Sequence, residues 1–224
     1  MRQLRMSIVG LILLAAVSVW AAGPVLIEDW STHPTGARGV PNGWERQQWG
    51  SPAYDFTIMD EGGRKVLHLK SKDEGSTISK EIKGKISLKE TPTLEWTWKV
   101  TVLPKGGDSR RKETDDQAAQ IFVAWERFPK QVRSRIIGYV WDSTAPVGTI
   151  AKSEKTGMVT YVVVRSGTAE LGKWLTERRN LRDDFKRIYG EEADDPGAVS
   201  LSIDSNDTHS TAESYFGPIF FRAP

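Results

Sequence analysis

Along most of this chain apolar and polar residues alternate at every second position, the period of a β-strand. The cleanest case is residues 94–102. There Leu94, Trp96, Trp98, Val100 and Val102 share one face, and Glu95, Thr97, Lys99 and Thr101 the other. Shorter β-rich runs stand at 25–30, 54–58, 66–70, 77–82, 118–125, 136–141, 159–166, 199–203 and 219–221, separated by Gly-, Pro- and Ser-rich turns. The pattern predicts an all-β fold, a jelly-roll-like antiparallel β-sandwich of about ten strands. One short helix interrupts it near 181–189: Asn180 can cap it, Leu181, Phe185 and Ile188 fall at helical spacing, and Gly190 can end it. Apolar spacing of that kind predicts a packing helix over one sheet edge. Two long polar loops, 103–114 and 142–157, are of a length that is often functional or mobile. No repeat or linker divides the chain, so residues 22–224 are expected to form a single domain.

Ahead of the first strand, Arg2 and Arg5 precede an uncharged stretch, 6–22, built around Leu11-Ile12-Leu13-Leu14 and closing on small residues. That order predicts a signal peptide over 1–21, cut after Ala21 or Ala22. The stretch is short of the ~20 residues that span a bilayer comfortably, and no later segment approaches that length. A periplasmic or secreted product is therefore expected, with no transmembrane segment after signal removal. The full chain of 224 residues carries a formal charge of +2, and removing the leader leaves 29 basic against 29 acidic residues. A neutral chain argues against nucleic acid as a partner, because such binding depends on clustered Lys and Arg. With no cysteine and three histidines, disulfides, thiol chemistry and cysteine or histidine metal sites are excluded or disfavoured.

Candidate chemistry begins with the eight tryptophans that remain after the leader. Aromatic faces beside hydrogen-bonding side chains suit sugar rings, which present apolar C–H faces and polar edges. Trp96 and Trp98 share a face with Leu94 and Val100 and are expected in the core. For Tyr139 and Trp141 the core and ligand readings both stand. If the aliphatic faces of 136–142 and 159–166 pack between the sheets, then Tyr139, Trp141, Tyr161 and Arg165 line a groove. Asp115 and Asp116 would sit at its rim. Oxygen-rich residues 204–208 could hold a structural Ca²⁺. They lack the glycine and terminal acid of an EF-hand loop, however, and acidic turn residues are mostly turn formers, so no cofactor is expected. A polysaccharide hydrolase or lyase would need placed carboxyls, or a Tyr/His/Arg set, across a cleft. Glu95, Asp115, Asp116, Glu126 and Asp142 are the available acids, and no G-x-S-x-G elbow supports serine catalysis.

Several short motifs occur in a telling order: Trp44-Glu45, Trp96-x-Trp98, Asp115-Asp116 before Ala118-Ala119, Tyr139-Val140-Trp141, Arg179-Asn180 before Asp184, and Tyr215-Phe216-Gly217 with Ile219. In that order, from about Val25 to Phe221, the chain resembles a bacterial exported family known as domain of unknown function 3047. The resemblance implies an exported β-rich domain and supplies no catalytic residue. The chain departs from the family pattern at Gln120, at Asn206-Asp207 and at Pro218. A looser likeness links its two ends to carbohydrate-binding jelly rolls. The expected function is a non-catalytic module binding a glycan or envelope component through Tyr139, Trp141, Arg165, Asp115 and Asp116. A structural or partner-binding envelope protein and a polysaccharide-degrading enzyme are the alternatives.

Overall fold

The computed structural model describes residues 22–129 and 133–224; the leader expected over 1–21 lies outside them. The strands are β1 (Val25–Glu28), β2 (Glu45–Arg46), β3 (Asp55–Glu61), β4 (Arg64–Lys72), β5 (Gly75–Glu81), β6 (Thr93–Val102), β7 (Ala119–Trp125), β8 (Arg135–Asp142), β9 (Ile150–Lys152), β10 (Val159–Ser166), β11 (Leu175–Asn180), β12 (Ala198–Asp204) and β13 (Thr211–Arg222). The helix α1 spans Leu181–Tyr189. Asn180 caps it by accepting from the Arg182 and Asp183 amides at 3.0 and 3.3 Å, and Gly190 ends it at φ 72°.

These strands form two facing sheets. The six-stranded sheet has the order β11-β6-β13-β4-β3, with β1 also paired to β13; the seven-stranded sheet has the order β2-β5-β12-β7-β8-β10-β9. Strand β13 is long enough to pair β4 along its first half and β1 along its second. The sandwich expectation holds, with more strands than predicted. Strands β2 and β9 are too short to show a period, and β11 (Leu-Thr-Glu-Arg-Arg-Asn) is polar almost throughout. One pairing departs from the antiparallel expectation: β8 and β10 run parallel. Parallel neighbours need a crossover of a dozen or more residues, and the long 142–157 loop, with β9 inside it, is that crossover.

The core lies between the sheets. Leu94, Trp96, Trp98 and Val100 of β6 point inward as their alternation predicts, and all are fully buried. Trp96 meets Tyr139 of β8 at 5.4 Å between ring centroids, and Trp98 meets Trp141 at 6.0 Å. At one end Phe185 of α1 packs on Trp125 at 4.7 Å. A second, smaller cluster, Val140, Ala145, Val159, Tyr161 and Val163, sits on the outer side of β8 and β10 with Phe122 and Ile136 against it. Strands β8 and β10 are therefore buried on both faces, which is why they read as almost continuous apolar runs.

Candidate functional site

The residues that alternate with the core positions of β3, β4, β13 and β6 share the outer face of the six-stranded sheet. Strand register aligns Thr57, His68, Tyr215 and Lys99 in one row across it, and Asp55, Lys70, Glu213 and Val102 in the next. His68 stacks on Tyr215 with centroids 4.2 Å apart and planes 8° from parallel. Lys99 Nζ lies 4.1 Å from the Tyr215 ring centre and 5.2 Å from that of Trp174. Trp174 meets Tyr215 edge-on at 6.4 Å and carries Arg64 over its other side at 4.7 Å.

Two carboxylates hold this cluster in place. Glu61 accepts from Lys99 Nζ at 2.6 Å on both oxygens and from Trp174 Nε1 at 2.9 Å. Glu213 accepts from Tyr215 Oη at 3.2 Å and pairs with His68 Nε2 at 2.6 Å. On a flat sheet Glu61 would stand about 14 Å across and about 13 Å along from Lys99, beyond the combined reach of the two side chains. The β3–β4 hairpin therefore curls over this face. Gly217 makes room for Thr97: a Cβ there would collide with Thr97 Oγ1, while meeting the Trp174 indole at an ordinary contact distance of 3.6 Å. Burial would raise the Glu61 and Glu213 carboxyls, but their donors outweigh it. Lys99 and Trp174 for Glu61, and His68 and Thr101 for Glu213, hold both below the usual range. The Tyr215 phenol is pushed up to about 12 by burial and by the Glu213 charge, so it remains a donor at neutral pH.

Beside this row, at the Glu213 end, an open groove of about 480 Å³ runs over the same face, lined by Asp55, Lys70, Lys72, Glu74, Val102 and Thr211 among others. Its rim includes Ala53, at the end of the loop that carries Trp49, which is 65% exposed. Flat half-buried rings, fixed acceptors and exposed ammonium groups thus lie side by side. That set suits a ligand with apolar ring faces and many hydroxyls.

The sequence-predicted site residues lie elsewhere. Tyr139 and Trp141 are 0% and 1% exposed, the reverse of the groove expected for them. Their polar tips are used internally: Tyr139 Oη donates to Asp184 Oδ2 at 2.7 Å, and Trp141 Nε1 to the Gly167 carbonyl at 3.1 Å. The expectation failed on register. Tyr139 pairs with Val162, whereas Tyr161 pairs with Gly138, so the two tyrosines face opposite sides, as a one-residue offset requires. Arg165 is half-buried at the sandwich edge, bound to Glu177 at 2.6 and 3.3 Å and to Glu170 at 2.7 Å.

Asp115 and Asp116 are buried at one end of the seven-stranded sheet and form no rim. Asp115 accepts from Gln117 and from Tyr161 Oη, and burial raises its pKa. Asp116 accepts from the Asp207 and Thr208 amides and from Thr208 Oγ1, fixing the 205–208 turn. Asp142 likewise caps a loop, accepting from the Ser109, Thr144 and Ala145 amides. Glu95 is held between Arg178 and Arg222. Among the described residues no group of three or more His, Asp or Glu side chains could hold a metal ion. The cation paired with Asp207 is Lys155. Sequence reasoning missed Trp174, Tyr215 and Glu213. The alternation of Glu213 and Tyr215 with Ala212, Ser214 and Phe216 was the available signal.

The family described as Protein of unknown function (DUF3047) matches residues 42–220. No curated protein matches the chain. Among solved structures, the chain is similar to a family 30 carbohydrate-binding module of the cellulosomal cellulase Cel9D-Cel44B of Clostridium thermocellum. Identity is 12%, with 90% of this chain and 98% of that one covered and a TM-score of 0.45. The xyloglucanase domain of NopAA, a type three effector from Sinorhizobium fredii, is 14% identical over 86% and 100% of the two chains, with a TM-score of 0.46. The module CBM27-1 of Caldicellulosiruptor saccharolyticus, in complex with mannohexaose, is 10% identical over 90% and 97%, with a TM-score of 0.42. At such scores and identities these likenesses do not identify a ligand.

Proposed function

The chain belongs to the DUF3047 family, and for this member we propose a glycan-binding β-sandwich module that takes a saccharide on the outer face of its six-stranded sheet. One observation carries the proposal: half-buried Tyr215, with half-buried Trp174 edge-on to it, is bonded to Glu213, and Glu213 lines an open groove of about 480 Å³. A pyranose ring stacks its C–H face on an aromatic ring and directs its hydroxyls sideways. Here Glu213 and Asp55 accept from such hydroxyls, while Lys70 and Lys72 donate. The ion pairs beneath the rings hold them in place before the ligand arrives, which lowers the ordering cost of binding. The leader-like first 21 residues support export as part of the same proposal, so that the module meets an envelope or extracellular polysaccharide.

A glycan array followed by calorimetry tests this reading. Trp174→Ala and Tyr215→Ala are expected to weaken the best ligand at least about tenfold, the loss of one good stacking contact. Arrays on which the wild type binds nothing, or affinities unchanged in both variants, would overturn it.

A further inference from the structure

The outer face of the six-stranded sheet continues past the aromatic cluster, away from the groove. Strand register aligns Leu26, Phe220, Glu95 and Arg178 in one row across β1, β13, β6 and β11. Directly paired residues project from the same side of a sheet, and Glu95 shares its side of β6 with Lys99. Between the two rows stand Thr97 and Thr176, paired with each other. Four residues of one strand separate Lys99 from Glu95, about 13 Å, so one extended ligand can touch both rows.

The charge of the far row is uneven. Glu95 accepts from Arg178 Nε at 2.6 Å on one oxygen, and Arg222 Nε stands 2.8 Å from the other. One buried carboxylate thus serves two guanidinium groups, and the trio keeps one positive charge. Arg222 also lies over the Phe220 ring, 4.6 Å from its centre, which fixes where its charge stands. Among the described residues no hydrogen bond engages the terminal nitrogens of either arginine, and the Arg178 side chain is 69% exposed. The groove end of the face has the opposite balance, Asp55, Glu74 and Glu213 against Lys70 and Lys72.

We propose, resting on the saccharide reading of this face, that Arg178 and Arg222 form an acid-binding subsite. The glycan taken here then carries a carboxylate on one of its units, a uronic acid with neutral neighbours. Its carboxylate sits on the terminal nitrogens of the two guanidinium groups, a geometry that favours two-pronged pairing, while a neutral unit rests at Tyr215 and Trp174. The acidic balance of the groove end disfavours a chain with a carboxylate on every unit.

Calorimetry on the full chain tests this with hyaluronan and glucuronoxylan oligosaccharides, each against the same material with its carboxyls reduced to alcohols. At least one acidic form is expected to bind at least about tenfold more tightly than its reduced form, the worth of a charge-assisted contact. Arg178→Gln should remove most of that preference and leave the reduced form within about twofold of wild type. Glu95→Gln, which relieves both guanidinium groups of their carboxylate and keeps an acceptor between them, should widen the preference about twofold or more. A merely structural trio gives no such gain. Acidic and reduced forms bound equally, an Arg178→Gln loss shared by both, or no gain in Glu95→Gln would overturn the subsite and leave the saccharide reading standing. Binding of neither form would overturn the subsite, with the glycan array deciding the saccharide reading separately.

Discussion

On the inner face of the six-stranded sheet, Trp96 and Trp98 press against Tyr139 and Trp141; on its outer face, His68 stacks on Tyr215 and Trp174 meets Tyr215 edge-on. Both clusters are aromatic, and both tie polar ring atoms to acids: Trp98 to Glu177 and Tyr139 to Asp184 inside, Trp174 to Glu61 and Tyr215 to Glu213 outside. They differ in where the flat faces go. Inside, those faces are consumed by packing. Outside, His68, Lys99 and Arg64 lie over the rings, which stay half-buried, and an open groove begins next to them at Glu213. Aromatic content alone therefore does not mark a ligand platform; the face on which a ring is left does.

The sharpest way to break this comparison is to truncate one indole from each cluster. Trp98→Ala should cost about 3–5 kcal/mol of stability, by lost transfer energy and a poorly collapsing cavity, measured by urea denaturation. Trp174→Ala should cost about 1 kcal/mol or less while removing most saccharide affinity. Equal destabilisation by the two would mean that Trp174 is a core residue and that the outer face is no platform.

Removing the acids gives a smaller contrast. Asp184→Ala strands the Tyr139 hydroxyl in the core and leaves Arg179 without its partner. A loss of about 2–4 kcal/mol is expected. Glu61→Gln keeps an acceptor for Trp174 Nε1 and for Lys99, which also retains its contacts with the Tyr215 and Trp174 rings, so a smaller loss of about 1–2 kcal/mol is expected. If the order of the two is reversed, the Glu61 network is structural and not a platform support.

Protons sharpen the comparison further. Glu213 titrates below the usual carboxylate value, so its contribution to stability is present above about pH 4.5 and is lost as pH falls through its lowered native pKa. Saccharide binding should fade over the same acid range, and Glu213→Gln should flatten that limb. Asp204, at the buried end of the seven-stranded sheet, is raised well above its ordinary value by burial and by the adjacent Asp116. Its contribution has the opposite sign: present at low pH, and lost as pH rises through its native pKa. Asp204→Asn, which mimics the protonated acid, should therefore gain stability relative to wild type as pH increases. Denaturation midpoints across pH check both signs.

How much of this was legible follows from what surrounds each strand. β6 was readable because from Glu95 to Thr101 its outer face carries only polar residues, so the period of two survives until a bulge against β13 turns Val102, expected on the inner face, outward beside Glu213. The α1 caps were readable because Asn180 and Gly190 act locally. β8 and β10 were not. With apolar neighbours on both sides, Ile136 to Trp141 has no polar face to fix its orientation, and only the register against β10 and the crossover above it decide that Tyr139 points inward. Trp174 was hidden for another reason. It stands between Lys173 and Leu175, just ahead of a strand with no apolar period, and it joins the site only because the chain at Gly172 hydrogen-bonds back to Val100. Tyr215 and Glu213 lie in the half of β13 ahead of the predicted 219–221 run, where Ser214 interrupts the apolar series.

The smallest predicted effect concerns Arg165, which the sequence had placed in the groove. Its guanidinium bridges Glu177 and Glu170 at the sandwich edge and remains partly open to water. A pair screened in that way contributes on the order of 0–1 kcal/mol. Arg165 holds Glu177 with help from the Trp98 indole, so removing the charge leaves that carboxylate with one donor. Arg165→Gln should therefore lower stability by about 1 kcal/mol or less and leave saccharide affinity within about twofold of wild type, by denaturation and calorimetry on the same protein. A tenfold loss of affinity with little change in stability would return the binding surface to the sandwich edge. The outer-face cluster of Trp174, Tyr215 and His68 would then be a set of ion-paired rings with no role in recognition.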